Sequence, residues 1–295
     1  MIDERYELMM LIWRLKGKCV FSRQDSDFQK KLAAHFAEFM KHTTVRYAKY
    51  LYWIKGISNN AVFGYAMHLT KKDGEFTLVP NLSLLDRSWK GNSPEKFITK
   101  LNRFYKDSNF TEFFESNKEF YETTSREFYE TAYKHVDIKW FGKYIDISDM
   151  CCILSPSTSV ANFGAAVAKP GGKTVYAGMA VNPKVSTWTI VHEYCHSFAN
   201  DIAKKWYAEN AEFKRMCDES VDKKVQPLYA SGLIMGFEYV TRAYEKLYWQ
   251  EHGDDIEPMF AAEIKQGFKY IKNIYSMIET YNDKEQFSTA KASTV

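Results

Sequence analysis

The 295-residue sequence predicts an α+β protein that is mostly helical, with a small sheet late in the chain. Three observations carry this. Segments with apolar residues at spacings of three and four, each opened by a capping residue, recur through roughly the first 135 positions. Alternating and β-branched stretches gather between residues 136 and 182, and long amphipathic segments return after residue 186. At 45% hydrophobic and 26% charged, the composition is that of a globular protein able to bury a full core.

In chain order, "DERYELMMLIWRL" (3–15) begins with an acidic first turn, and "DSDFQKKLAAHFAEFM" (25–40) and "SPEKFITKLNRFYKDSNFTEFF" (93–114) begin with capping residues; each is expected as one helix. "GEFTLVPNLS" (74–83) reads as a short strand closed by turn residues. "WFGKYIDISDMCCIL" (140–154) and "KTVYAGMAV" (173–181) read as strands of a small sheet or hairpin, linked through the Gly- and Pro-containing "AVAKPGGK". "NPKV" (182–185) should stop the last strand. Ser186 or Thr187 then caps a helix running to residue 209. A second helix starts at Ser231 and is ended by Gly253, and a third is expected over 257–281. The chain thus divides into a helical region 1–135, a mixed region 136–284 and a polar, loose tail 285–295.

Forty basic and 37 acidic side chains leave a formal charge of +3, and the lysine pairs are short and scattered, so no nucleic-acid footprint is present. The apolar run LMMLIW (8–13) is far shorter than the ~20 residues a transmembrane helix needs, which leaves a soluble chain. No signal peptide is visible; a leader removed upstream would make this an exported protein of the periplasm or envelope. Five cysteines, two of them adjacent at Cys151 and Cys152, do not form a disulfide framework. The aromatic share of 16% fills the core and could line a cleft.

The chemistry lies in "HEYCHSF" (192–198). His192 and His196 sit about 40° apart on one helix face, roughly 6 Å between Cβ atoms, so both imidazoles can reach one ion. Glu193, one step round the helix, is placed as a general base for a water on that ion. Cys195 lies between the histidines and is a weaker ligand candidate, since a helical free cysteine is ordinarily a small buried residue. A catalytic zinc takes three protein ligands. The extended H-E-x-x-H-x-x-G-x-x-H pattern is excluded, because its last two fixed positions are Ala199 and Ile202. Of the remaining donors, Glu238 stands out in the apolar "LIMGFEYV", where a carboxylate needs a cationic partner. Glu263 is its rival, His252 is a lesser one, and a plain ion pair between Glu238 and Arg242 is the metal-free alternative.

"HEYCHSFAN" followed by "FEYVTRAY" resembles a group of bacterial proteins catalogued as a domain of unknown function, whose members carry HEFxHSFxN and ExxxRA motifs and are linked to gluzincin-like zinc peptidases. With the N-terminal "ELMMLIWRL", the resemblance extends over most of the chain. It implies a zincin-like core with an edge strand, an active-site helix and a C-terminal helical lobe. It also implies Zn2+ held by His192, His196 and Glu238, with Glu193 as base. The expected activity is hydrolysis of internal peptide bonds in a peptide or protein substrate. Arg242 is expected to serve as an oxyanion donor or to hold Glu238 in place, with Tyr244, about 120° away round the helix, as the other donor. "TVYAGMAV" is expected either as the edge strand that pairs with an extended substrate or as an ordinary sheet strand. The rival readings are a peptide- or glycan-binding protein that keeps a zinc site without turnover, and a helical structural domain with a coincidental motif.

Overall fold

The computed structural model describes residues 1–23, 26–158, 162–182, 186–222, 229 and 231–292. By internal contacts the chain forms two compact units, the first comprising Met1–Asp137 and Asp146–Tyr194, the second Ile138–Ile145 and Cys195–Val295.

The first unit is built round α1 (Glu4–Leu15), in which every residue from Tyr6 to Leu15 is buried. Asp3 caps this helix by accepting from the Arg5 N–H at 2.9 Å. A helix buried all round belongs to the middle of a core. Its two buried charges need partners there, and they find them at the end of the strand Met150–Ser155 and just beyond it. Glu7 accepts hydrogen bonds from the Ser155 and Ser157 hydroxyls, and Arg14 donates to the Ser157 carbonyl at 2.5 Å. Burial pushes the Glu7 carboxyl up to about 7, against the lowering effect of its two serine donors and Arg14.

Around α1 lie α2 (Asp27–His35), α3 (Thr43–Trp53) and α4 (Asn59–Met67), then a hairpin of β1 (Leu69–Lys72) with β2 (Glu75–Leu78). The short α5 (Arg87–Lys90) and α6 (Pro94–Asp107) follow, with α7 (Phe110–Ser116) and α8 (Lys118–Thr131). Trp13, Tyr65, Trp89 and Phe97 interlock at centroid distances of 4.2–6.3 Å. Two expected single helices are each broken. After α2 the chain turns at Phe36 into a 3-10 stretch, Ala37–Lys41, and between α6 and α7 Asn109 takes a positive φ of 48°. Local periodicity continues through both points, but the buried Phe36 and Phe110 are reached only if the chain bends.

The sheet follows the short α9 (Ile138–Phe141), which belongs to the second unit. Its strands β3 (Met150–Ser155), β4 (Phe163–Lys169) and β5 (Gly172–Ala180) lie in the order β3-β5-β4, with β3 parallel and β4 antiparallel to β5. Of the two readings of "TVYAGMAV", the ordinary sheet strand holds and the edge strand does not: β5 is central. The outer edge of β3 is met by the chain start, where Leu154 N–H donates to the Met1 carbonyl at 2.7 Å, whereas β4 pairs only with β5 among the described residues. All three strands belong to the first unit, where β4 packs on α4. Gly178 of β5 touches Phe63 of α4 so closely that an added Cβ would fall 2.7 Å from the ring. Gly178→Ala should therefore cost about 1–3 kcal/mol of stability, read as a lowered urea midpoint. An unchanged midpoint would contradict this packing.

The expected stop at "NPKV" falls on residues 183–185, which lie outside the described residues. Next comes α10 (Thr187–Glu209), which starts in the first unit and continues through the second. The second unit adds α11 (Ala211–Glu219), α12 (Gly232–Glu251), α13 (Glu257–Lys265) and α14 (Ile271–Ala292). The single helix expected over 257–281 is in fact two, parted at Gly267, whose φ of 102° few other residues adopt. The end of the chain, expected as a loose tail from residue 285, continues α14 to Ala292. The architecture is α+β and mostly helical, as the periodicity predicts. Among the described residues no helix is long and apolar enough to cross a membrane.

Candidate metal centre

Helix α10 begins with Ser186, whose carbonyl accepts from Ile190 N–H at 3.3 Å. Its apolar positions, Val191, Tyr194, Cys195, Phe198 and Ala199, are buried, while His192, Glu193, His196 and Asn200 are half-buried. Spacings of four align His192, His196 and Asn200 along one stripe. Helix α12 is capped by Ser231, which accepts from Ile234 N–H at 3.4 Å. Gly236 lets it approach α11, since a Cβ there would lie 3.2 Å from the Phe213 ring. One turn on, α12 presents Glu238, Thr241 and Arg242.

Among the described residues, His192, His196 and Glu238 form a group whose ligand atoms all lie within 4.8 Å of one another. His196 Nε2 stands 3.5 Å from Glu238 Oε1. Donors held 2.0–2.1 Å from a tetrahedral zinc are themselves roughly 3.3 Å apart, so this pair nearly has the required spacing. The other ring nitrogen of His196 is engaged as a metal-binding imidazole requires. Nδ1 lies 3.0 Å from Asn200 Oδ1 and 2.9 Å from Thr241 Oγ1. In the tautomer that donates from Nδ1 to the Asn200 amide oxygen, the Nε2 lone pair is free for a metal beside Glu238. Two imidazoles and one carboxylate with a position to spare is a donor set that suits zinc.

Behind Glu238 lies a buried chain of charges. Arg242 donates from one guanidinium nitrogen to both oxygens of Glu263 at 2.8 Å and reaches Glu238 Oε2 at 3.4 Å with another. Its guanidinium lies 4.3 Å from the centroid of the Phe268 ring. Lys246, 1% exposed, donates to the same Glu263 at 2.7 Å and stands 3.5 Å from Glu245. Glu263, the rival ligand by sequence, is thus committed to two cations and stands outside the metal-capable group.

The other candidates separate cleanly. His252 caps α12, its Nδ1 2.6 Å from the Tyr248 carbonyl and its ring stacked on Tyr248, so it is not a ligand. Cys195 is fully buried near Glu245 and Lys246, and burial pushes its thiol up. Tyr244 is buried between Tyr144 and Phe198 and donates to Asn282 at 3.0 Å, which removes it as an oxyanion donor. Glu193 lies beside His192, and its carbonyl comes within 3.9 Å of where a Cβ on Gly164 of β4 would stand. One residue enters that sequence reasoning passed over. The Tyr229 phenol exchanges hydrogen bonds with Glu238 and Arg242, and burial, followed by the Glu238 charge, pushes it up to about 12. It stays protonated and able to donate. It lies between α11 and α12, where no periodicity marks it.

A family model described as "Domain of unknown function (DUF4932)" matches residues 2–291. No curated protein and no solved structure matches the chain.

Proposed function

The chain belongs to the DUF4932 family, and we propose, from the donor set its residues assemble, that it is a zinc-dependent peptidase. The observation that carries the reading is the convergence of His192, His196 and Glu238 with Glu193 next to the first of them. Zinc held there would polarise a substrate carbonyl and bring the pKa of a water toward ~7. Glu193 takes the proton of the attacking water and passes it to the leaving nitrogen. Tyr229, whose phenol bonds Glu238 and Arg242, would help to hold the carboxylate that ligates the metal. An extended substrate would pair with β4, not β5, because among the described residues β4 has no second partner strand, and it carries Gly164 against Glu193.

Elemental analysis of protein purified without added metal should find one zinc per chain, lost in His196→Ala and in Glu238→Ala. Absence of metal in the wild type even after zinc is supplied would end the proposal.

Arg242 fits a holding role better than an oxyanion role, since its fork is already occupied by Glu263 and Glu238. Arg242→Lys cannot reproduce that paired geometry and should weaken zinc binding about 10–100-fold. A competition titration with a chelator reads this directly. Unchanged affinity with a depressed kcat would instead return Arg242 to the oxyanion.

A further inference from the structure

Helix α3 carries an exposed aromatic face remote in function from the metal centre. Ala48 and Leu51 are buried in the core and Tyr47 is half-buried against Phe97, while Tyr50 and Trp53 point outward. Tyr47 and Tyr50 stack at 6.0 Å. Tyr50 is 42% exposed, Trp53 54% and the next residue, Ile54, 70%, at the tip where Gly56 turns the chain back with a φ of 70°. Lysines surround these rings. Lys55 Nζ is 5.8 Å from the Tyr50 centroid, and Lys96 and Lys100 of α6 are 5.4 and 5.2 Å from that of Tyr47, while Lys16, 3.4 Å from the Tyr52 centroid, is buried beneath them. None of Lys55, Lys96 and Lys100 forms an ion pair among the described residues.

We propose that this face docks the protein on an anionic phospholipid bilayer, with Trp53 and Ile54 entering the interface and Lys55, Lys96 and Lys100 lying over the headgroups. Solitary exposed apolar residues are ordinary, but a protruding Trp-Ile pair ringed by unneutralised ammonium groups is the composition of an interfacial anchor. The surface is a tip, not a groove, so it suits a soft plane. Ile54 selects lipid over a nucleic acid, because an aliphatic tip gains from hydrocarbon and offers nothing to a base. The inference rests on the first unit alone and is independent of the peptidase reading.

The test is co-sedimentation of the full chain with phosphatidylcholine vesicles, with and without phosphatidylglycerol. Binding is expected only to the mixed vesicles, and raised salt should release it. Lys55→Ala should weaken it about five-fold, the contribution of one cation at such a surface. Trp53→Ser and Ile54→Asn should each weaken it at least about ten-fold, while Leu84→Asn, at another exposed apolar site, should not. These are surface changes that leave the core intact. Wild type remaining in the supernatant, or Ile54→Asn binding as wild type does, overturns the proposal. So does tight binding of a single-stranded oligonucleotide that needs Lys55 but not Ile54.

Discussion

Glu193→Gln is expected to leave zinc content unchanged and to lower kcat on any cleaved peptide by about 10²–10⁴, the contribution of one positioned general base. That range corresponds to a barrier raised by about 3–5 kcal/mol. The amide keeps the shape and the hydrogen-bonding reach of the carboxylate, so the loss isolates proton transfer. His192→Ala is the complementary control, because it should remove metal and turnover together. If Glu193→Gln cleaves as fast as wild type, Glu193 is not the base. If the wild type holds zinc yet cleaves nothing in a quenched-peptide library, the binding-protein alternative takes its place.

The second large effect concerns Glu7, which is no part of the proposed donor set. Its carboxyl is raised from the ordinary 4.5 to about 7, chiefly by burial, so in the folded state the protonated form is favoured. The corresponding stabilisation is fully present below pH 4.5 and is lost as pH rises through about 7. The span amounts to about 3 kcal/mol. Arg14 and the Ser155 and Ser157 hydroxyls already temper it, and the Tyr6 and Tyr121 phenols feel the Glu7 charge. Glu7→Gln should therefore remove this slope, making the variant more stable relative to wild type at pH 8 than at pH 5. Urea midpoints measured at the two pH values give the difference. A wild-type-minus-variant gap independent of pH would show that Glu7 titrates normally.

The features legible in the sequence are those fixed by short-range geometry. The four-residue offset of His192 and His196 determines a shared face as soon as the segment is helical. Glu238 could be picked out because its neighbours Phe237 and Tyr239 are apolar. The centrality of β5 could not, since strand order depends on which partners arrive from elsewhere in the chain. Neither was the role of Glu263 visible, for it lies 25 residues beyond Glu238 and reads like any helical carboxylate until Arg242 and Lys246 are found on either side of it. Tyr229 carries no periodic signal at all. The breaks at Phe36 and Gly267 show the same limit. Amphipathic spacing persists through them, and only the need to bury Phe36 and Phe268 decides where the chain turns.

Glu263 also sets the smallest piece of this chain that could be expected to work. It is the shared counter-charge of two cations that α12 buries, and it arrives on α13. A truncation ending at Gly253 would keep all three donors and the base, yet would strip Arg242 and Lys246 of the carboxylate they share and Arg242 of the Phe268 ring that covers it; in the full chain, loss of that carboxylate alone is a defect of about 3–5 kcal/mol. A minimal metal-binding fragment must therefore extend past Lys265, and dissecting the protein at the end of the recognisable motifs would discard the residue that keeps them in register.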